Sequence, residues 1–212
     1  MLNDVVTIEK KHTNAALTLF ERVLRDRKTK FIVTISGEVG TGKCEIAHEL
    51  GRKLIEAGIS VKLLHMDNYY LILPRERQEW RKTKGLEMIG YDEYDWKTIN
   101  QNIDDFRMNK ESVMPIVDLF TQKVDKLHTD FKDIEVLIIA GLYSIRINQS
   151  DLRVFIELTY EDTWDEQKET HKEVLDDFRI EVLKQEHKAV QSLKNLADFY
   201  IDFDTAGEIF HL

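Results

Sequence analysis

The sequence predicts an α/β fold of three layers, with helices on both faces of a mostly parallel sheet. Three observations carry this. Lys30–Gly37, KFIVTISG, is β-branched and nearly all apolar, like a strand buried on both faces. A glycine-rich turn, a helical stripe and a second apolar run follow it, in the order of a βαβ unit, which is right-handed as a rule. Further apolar runs recur at 136–139 and 152–158, separated by helical patterns.

Taken in order, residues 6–27 read as a helix with Leu17, Phe20 and Leu24 at helical spacing. Lys43–Ala57 carries Ile46, Leu50 and Leu54 on one stripe and stops at Gly58. Val61–His65 is the second strand and leads into MDNYY. Residues 67–95 are polar, aromatic and basic, a long functional loop with room for a short helix. Asp95 is placed to cap a helix through about Arg107, with Ile99, Ile103 and Phe106 turned inward. Residues 113–120 and the segment around Leu127 suggest a short hairpin. Residues 163–194 are charged and helical, and 198–203 form a last strand. No repeat or Ser/Gly-rich linker interrupts the 212 residues, so they read as one domain, an N-terminal helix (1–29) followed by a core (30–204).

Composition excludes several classes. The chain is 42% hydrophobic and 33% charged, as soluble globular chains are. A single cysteine excludes a disulfide framework and any multi-cysteine zinc site. The longest apolar stretch, Val136–Tyr143, falls well short of the ~20 residues that span a bilayer. The charged start lacks the apolar core of a signal peptide. The expectation is a cytoplasmic protein with no membrane partner. A net charge of −9 argues against nucleic acid as a partner. Residues 1–90 hold 16 Lys/Arg against 12 Asp/Glu, while 91–212 hold 14 against 27. A basic first half suits local anion binding, and two solvated surfaces of opposite sign explain it equally well.

The strongest motif is Gly37-Glu38-Val39-Gly40-Thr41-Gly42-Lys43-Cys44, which matches G-x-x-x-x-G-K-[ST] at every fixed position but the last. Glycines let the backbone curl so that N–H groups face phosphate oxygens, and a helix N-terminus adds partial positive charge. Lys43 reaches the β- and γ-phosphates as a mobile point charge. ATP is the cofactor this pattern takes. Cys44 stands where a Ser or Thr hydroxyl binds Mg²⁺, and a thiol is a poor ligand for a hard cation.

This loop, with His65-Met66-Asp67-Asn68-Tyr69-Tyr70 after the second strand, resembles the uridine kinase and phosphoribulokinase group of P-loop kinases over roughly residues 30–204. The resemblance implies a P-loop fold with a small substrate hairpin and a helical lid. It implies that Asp67 faces the acceptor hydroxyl, with Tyr69 and Tyr70 at the family's aromatic positions. Tyr91-Asp92 and Tyr94-Asp95-Trp96 resemble the segment that supplies an acidic nucleoside contact, so Asp92 or Asp95 takes that role. Pro115-Ile116-Val117-Asp118 resembles the P-V-Y-D strand of the hairpin, with Val117 for tyrosine and with Gln122 and Lys123 where histidine and arginine usually follow. Val136–Tyr143 resembles the strand ending in E-G-[IL]-L, with Ala140 at the glutamate that supports Mg²⁺. The lid's R-R-x-x-R-D pattern corresponds to Trp164–Lys172, where Gln167, Lys168, His171 and Lys172 stand and arginine is absent; Arg179 is the nearest downstream.

Two functions follow from the resemblance. One is an enzyme, a uridine kinase-like phosphotransferase moving the γ-phosphate of ATP to a hydroxyl of a nucleoside or similar small metabolite. Lys43 and Asp67 are then catalytic, and Mg²⁺ is held through Asp67 with Cys44 and Ala140 at the usual ligand positions. The other is a nucleotide-binding protein of the same fold with little or no transfer, serving regulation. The family's dimers and tetramers imply a homo-oligomer.

Overall fold

The computed structural model describes residues 1–2, 4–170 and 176–203. Its centre is a five-stranded sheet in the order β2-β5-β1-β6-β7, built from β1 (Phe31–Ser36), β2 (Val61–His65), β5 (Val136–Ala140), β6 (Leu152–Ile156) and β7 (Phe199–Ile201). All four neighbouring pairs are parallel. Phe31, Val33 and Ile35 pack with Val136, Ile138 and Ala140 against helices α1 (Lys10–Asp26) and α2 (Lys43–Glu56). Ile32, Leu137 and Ile139 face the opposite layer, where α4 (Trp96–Arg107) supplies Ile99, Ile103 and Phe106, and α6 (Asp177–Gln191) supplies Val190. Because both faces are covered, the strands read as continuous apolar runs instead of alternating ones. The predicted three-layer α/β fold is the one observed. The two-stranded antiparallel hairpin is present as β3 (Glu111–Asp118) and β4 (Lys123–Asp130).

Four local readings change. In α1 the buried stripe is His12, Ala15, Ala16, Leu19 and Val23, whereas Leu17 and Leu24 are 45% and 43% exposed. The seam against α2 uses two alanines, whose small side chains let helix axes approach, so the largest apolar residues did not mark the inward face. Residues 67–95 contain a full helix, α3 (Pro74–Lys84), opened by Pro74. It carries no apolar stripe because its one buried residue is Arg81, held by carboxylates. Within the charged stretch 163–194 the described residues include two helices, α5 (Trp164–Thr170) and α6. Asp176 caps the second through the Arg179 N–H at 2.8 Å. The last two sheet strands are shorter than predicted. Among the described residues no helix is long and apolar enough to cross a membrane.

The two leucines of α1 separate these packing readings. Leu19→Ala, at a fully buried site, is expected to cost about 2–5 kcal/mol. Leu17→Ala, near half exposure, is expected to stay within about 1 kcal/mol. Urea denaturation midpoints of the two variants check the difference, and equal losses would refute the inward stripe.

Candidate active site

The carboxyl ends of β1, β2, β5 and β6 share one edge of the sheet, the edge at which open α/β sheets bind ligands. There the chain after β1 curls back. Ser36 donates to the Leu142 carbonyl at 2.6 Å, which pins the start of the loop to the end of β5. Gly40 (φ 80°) and Gly42 (φ 84°) adopt left-handed backbone. A Cβ on Gly42 would lie 2.6 Å from the His12 ring, and one on Gly40 would lie 2.8 Å from Thr163 Oγ1. The loop is therefore gripped between α1 and the start of α5, and a side chain at either position would displace one of them. Gly42 is the N-cap of α2 and Lys43 its first residue. The Lys43 ammonium donates to the Glu38 carbonyl, which also accepts from Thr41 Oγ1 at 2.9 Å. Burial lowers the Lys43 ammonium from its ordinary range, while the carboxylates of Asp67, Glu45 and Glu38 oppose the shift. An ammonium folded onto a main-chain carbonyl has a ready exchange partner in a phosphate oxygen, so the loop fits a polyphosphate.

Asp67 follows β2 in a short 3₁₀ turn, Met66–Tyr69. It is half-buried, and its carboxylate makes no hydrogen bond or ion pair among the described residues. Its charge is felt by Lys43 and by Cys44 on one side and by Tyr70 and Tyr94 on the other. It thus lies within electrostatic reach of both the phosphate loop and a cluster of tyrosines. Cys44 Sγ lies 3.6 Å from His65 Nδ1, and the His65 ring packs on that of His48 at 5.2 Å between centroids. Burial pushes the Cys44 thiol up to about 12, with Asp67 adding to the effect. Burial pushes His65 down to about 3. Both groups are neutral near pH 7.

The side chains beyond Asp67 are aromatic. The Tyr70 and Tyr94 rings are 4.1 Å apart, and Tyr143 meets Tyr94 edge-on at 5.6 Å. The Arg77 guanidinium lies 3.4 Å from the Tyr70 ring centre, and its Nε is buried without a partner. The Tyr143 hydroxyl is likewise buried and unpartnered, and the Tyr94 hydroxyl lies beside that of Tyr70 without hydrogen-bond geometry. Three buried donors without partners thus gather in one place. Behind them Arg81 forms a two-pronged pair with Glu93 at 2.6 and 2.9 Å and bonds Glu186 at 2.9 Å, and Arg179 joins Glu186 at 3.1 Å. These buried charges clamp α3 to α6. Arg179 is thereby engaged in the frame and not in the cleft.

The other predicted residues are placed elsewhere. Tyr69 belongs to the core, its hydroxyl donating to Asn102 Oδ1 at 2.8 Å. Asp95 is an N-cap, accepting from the Thr98 N–H at 3.0 Å and hydroxyl at 2.6 Å, so its oxygens are occupied. Asp92 is exposed, next to the buried Glu93. Asp118 shapes the hairpin turn, accepting from the Phe120 N–H at 2.8 Å. Lys168 is exposed and pairs with Asp165 at 3.0 Å. His171 and Lys172 lie outside the described residues. Ala140 is buried in the helix-facing layer, beside His65 in the strand register. Val39 offers its carbonyl to Thr163 Oγ1 at 3.1 Å.

These residues do not form a protein-held magnesium site. Position 44 is a protonated thiol, the side chain at 140 carries no oxygen, and the Glu38 carboxylate of the loop is taken up by Tyr160, His187 and Gln191. Among the described residues no three His, Cys, Asp or Glu side chains converge as cation ligands. Arg77 was not proposed as a site residue from the sequence, and Tyr94 and Tyr143 stood only within the segments 94–96 and 136–143 that resemble the family; Glu38 was expected in the phosphate loop, but its side chain is turned to α6.

Residues 32–168 match the model of the phosphoribulokinase / uridine kinase family. A uridine kinase of Ureaplasma parvum is 29% identical over 138 residues, 61% of this chain and 63% of that protein. The chain thus matches under two thirds of that relative's length. A uridine kinase of Mycoplasma pneumoniae is 24% identical over 196 residues, 87% of this chain and 90% of that protein. Among solved structures, a "Possible Uridine Kinase" from Bacillus stearothermophilus superimposes with a TM-score of 0.61 at 20% identity, over 89% of this chain and 98% of that one.

Two expectations arise from the neutral pair. A thiol near 12 leaves far less thiolate at pH 8 than an ordinary cysteine, so alkylation of Cys44 by iodoacetamide is expected to be about 10³-fold slower than that of a free thiol. Rates within about 10-fold of each other would contradict the raised thiol. For His65, a folded value near 3 against 6.5 unfolded means the unfolded chain binds the extra proton between them. Its contribution is fully present above pH 6.5 and fades as pH falls toward 3, by up to about 1.4 kcal/mol per pH unit. Denaturation curves between pH 7 and 4.5 should flatten in His65→Asn, and identical slopes in the two proteins would count against it.

Proposed function

This chain belongs to the phosphoribulokinase / uridine kinase family, and we propose that within it the protein is an ATP-dependent phosphotransferase acting on a hydroxyl of a small metabolite, a nucleoside first. The single observation that carries the reading is the unpartnered Asp67 carboxylate within electrostatic reach of both the Lys43 loop and the tyrosine cluster. In-line phosphoryl transfer needs little covalent help from a protein and much positioning.

Lys43 would leave the Glu38 carbonyl for the β- and γ-oxygens, and the loop amides would hold the remaining charge. Tyr70, half-buried beside the core rings of Tyr94 and Tyr143, offers an aromatic surface to a planar acceptor, and Arg77, a donor only, suits acceptor oxygens beside it. Asp67 accepts the hydroxyl proton as that oxygen bonds to phosphorus. The bond from phosphorus to the bridging oxygen breaks, ADP leaves, and the proton passes from Asp67 to water. No step of this sequence is assigned to a metal held by the protein.

The test is an ADP-release assay with ATP, a divalent cation and a panel of nucleosides and sugars. Acceptor-dependent ADP with a phosphorylated product is expected. Tight ATP binding with no turnover across the panel would favour a nucleotide-binding protein without transfer. Asp67→Asn is expected to keep ATP binding and slow transfer about 10²–10⁴-fold. Lys43→Ala is expected to weaken ATP binding at least about 10-fold, and unchanged binding would overturn the loop assignment.

A further inference from the structure

Glu38 is the second residue of the phosphate loop, and it is 2% exposed. A buried carboxylate there is costly in itself and repels polyphosphate, so it needs partners. It has three, all from outside the loop. The Tyr160 N–H donates to Oε2 at 2.8 Å. His187 Nδ1 and Gln191 Nε2 reach Oε1 at 2.8 and 2.5 Å. Tyr160 lies in the root of α5, while His187 and Gln191 are four residues apart and share one face of α6. The next residue repeats the tie, since the Val39 carbonyl accepts from Thr163 Oγ1 at 3.1 Å. On its main-chain side, Glu38 has the opposite role. Its carbonyl is where the Lys43 ammonium and Thr41 hydroxyl rest. One residue thus holds, through its carbonyl, the cation that must move to a phosphate and, through its carboxylate, the root of the following helix.

We propose that Glu38 is a positioning residue that couples the phosphate loop to the root of α5 and the last turns of α6. When Lys43 exchanges the Glu38 carbonyl for a phosphate oxygen, the peptide at residue 38 is released to turn. Its carboxylate then carries Tyr160, His187 and Gln191 with it, so occupancy of the loop sets the position of the chain at Tyr160 and of the end of α6. The proposal rests on the nucleotide-binding part of the reading above and not on the acceptor.

Amide hydrogen exchange on the full chain, with a non-hydrolysable ATP analogue as probe, tests it. In the wild-type chain the analogue is expected to slow exchange of residues 37–44 and, together with them, of 157–164, each by at least about 10-fold. In Glu38→Gln the loop response is expected to persist, while that of 157–164 falls below about 2-fold. Gln191→Leu removes one donor without altering the loop, and is expected to weaken the 157–164 response while the 37–44 response stays whole. This second variant keeps the test decisive if the first does not fold. A full response of 157–164 in both variants, or a wild-type chain whose loop responds while 157–164 does not, overturns the coupling alone. A wild-type loop that does not respond overturns the nucleotide reading and the coupling together.

Discussion

The parallel register that sets β2, β5 and β1 side by side is the constraint on which the cleft depends. His65, Ala140 and Ile35 stand in one row across the three strands. The three strands therefore end level, and whatever follows them emerges on one edge. That is why a loop after residue 36, a carboxylate at 67 and the 141–143 turn, far apart in the chain, become neighbours. The level ends are held by burial on both faces. Phe31, Val33 and Ile35 are covered by α1 and α2, and Ile32 is covered by the layer that includes α4. A slip of one residue would turn every one of these side chains to the other layer.

Charge is distributed around this edge so that few groups remain uncommitted. Arg81, Glu93, Glu186 and Arg179 neutralise each other in the frame between α3 and α6. Burial opposes the Arg81 charge, but Glu186 and Glu93 outweigh it and the guanidinium stays protonated. Glu38 is committed to the root of α5 and to α6. Cys44 and His65 are uncharged near neutrality because burial penalises the thiolate and the imidazolium alike. Lys43 and Asp67 keep opposite charges close enough for Asp67 to hold the Lys43 ammonium up against its burial.

How much could be read beforehand differs by element. The strands, α2 and the phosphate loop were legible because their signals are local. A doubly buried strand must be apolar throughout, Ile46, Leu50 and Leu54 repeat at the helical period, and a curled loop needs glycine at left-handed positions such as 40 and 42. The Asp95 cap was legible for the same reason, yet the same aspartate was also a candidate ligand residue, and only its two bonds to Thr98 decided between those roles. The α1 face and α3 were not legible. A seam of alanines and a helix whose inward residue is arginine leave no apolar stripe. Likewise, nothing in the order Tyr91–Tyr94 or Leu142–Tyr143 indicates that Tyr94 and Tyr143 meet edge-on beside Arg77.

From its amino acids alone, this chain determined its layered architecture, its phosphate-gripping turn and the carboxylate after its second strand, since each depends on contacts within a few residues or on one repeating period. Tertiary structure alone decided which polar groups are free. Glu38, Arg81 and Tyr69 are as polar in the sequence as Asp67. What separates them is whether a partner arrives from a distant segment, and hydrogen bonding is a property of pairs that no single stretch of chain encodes.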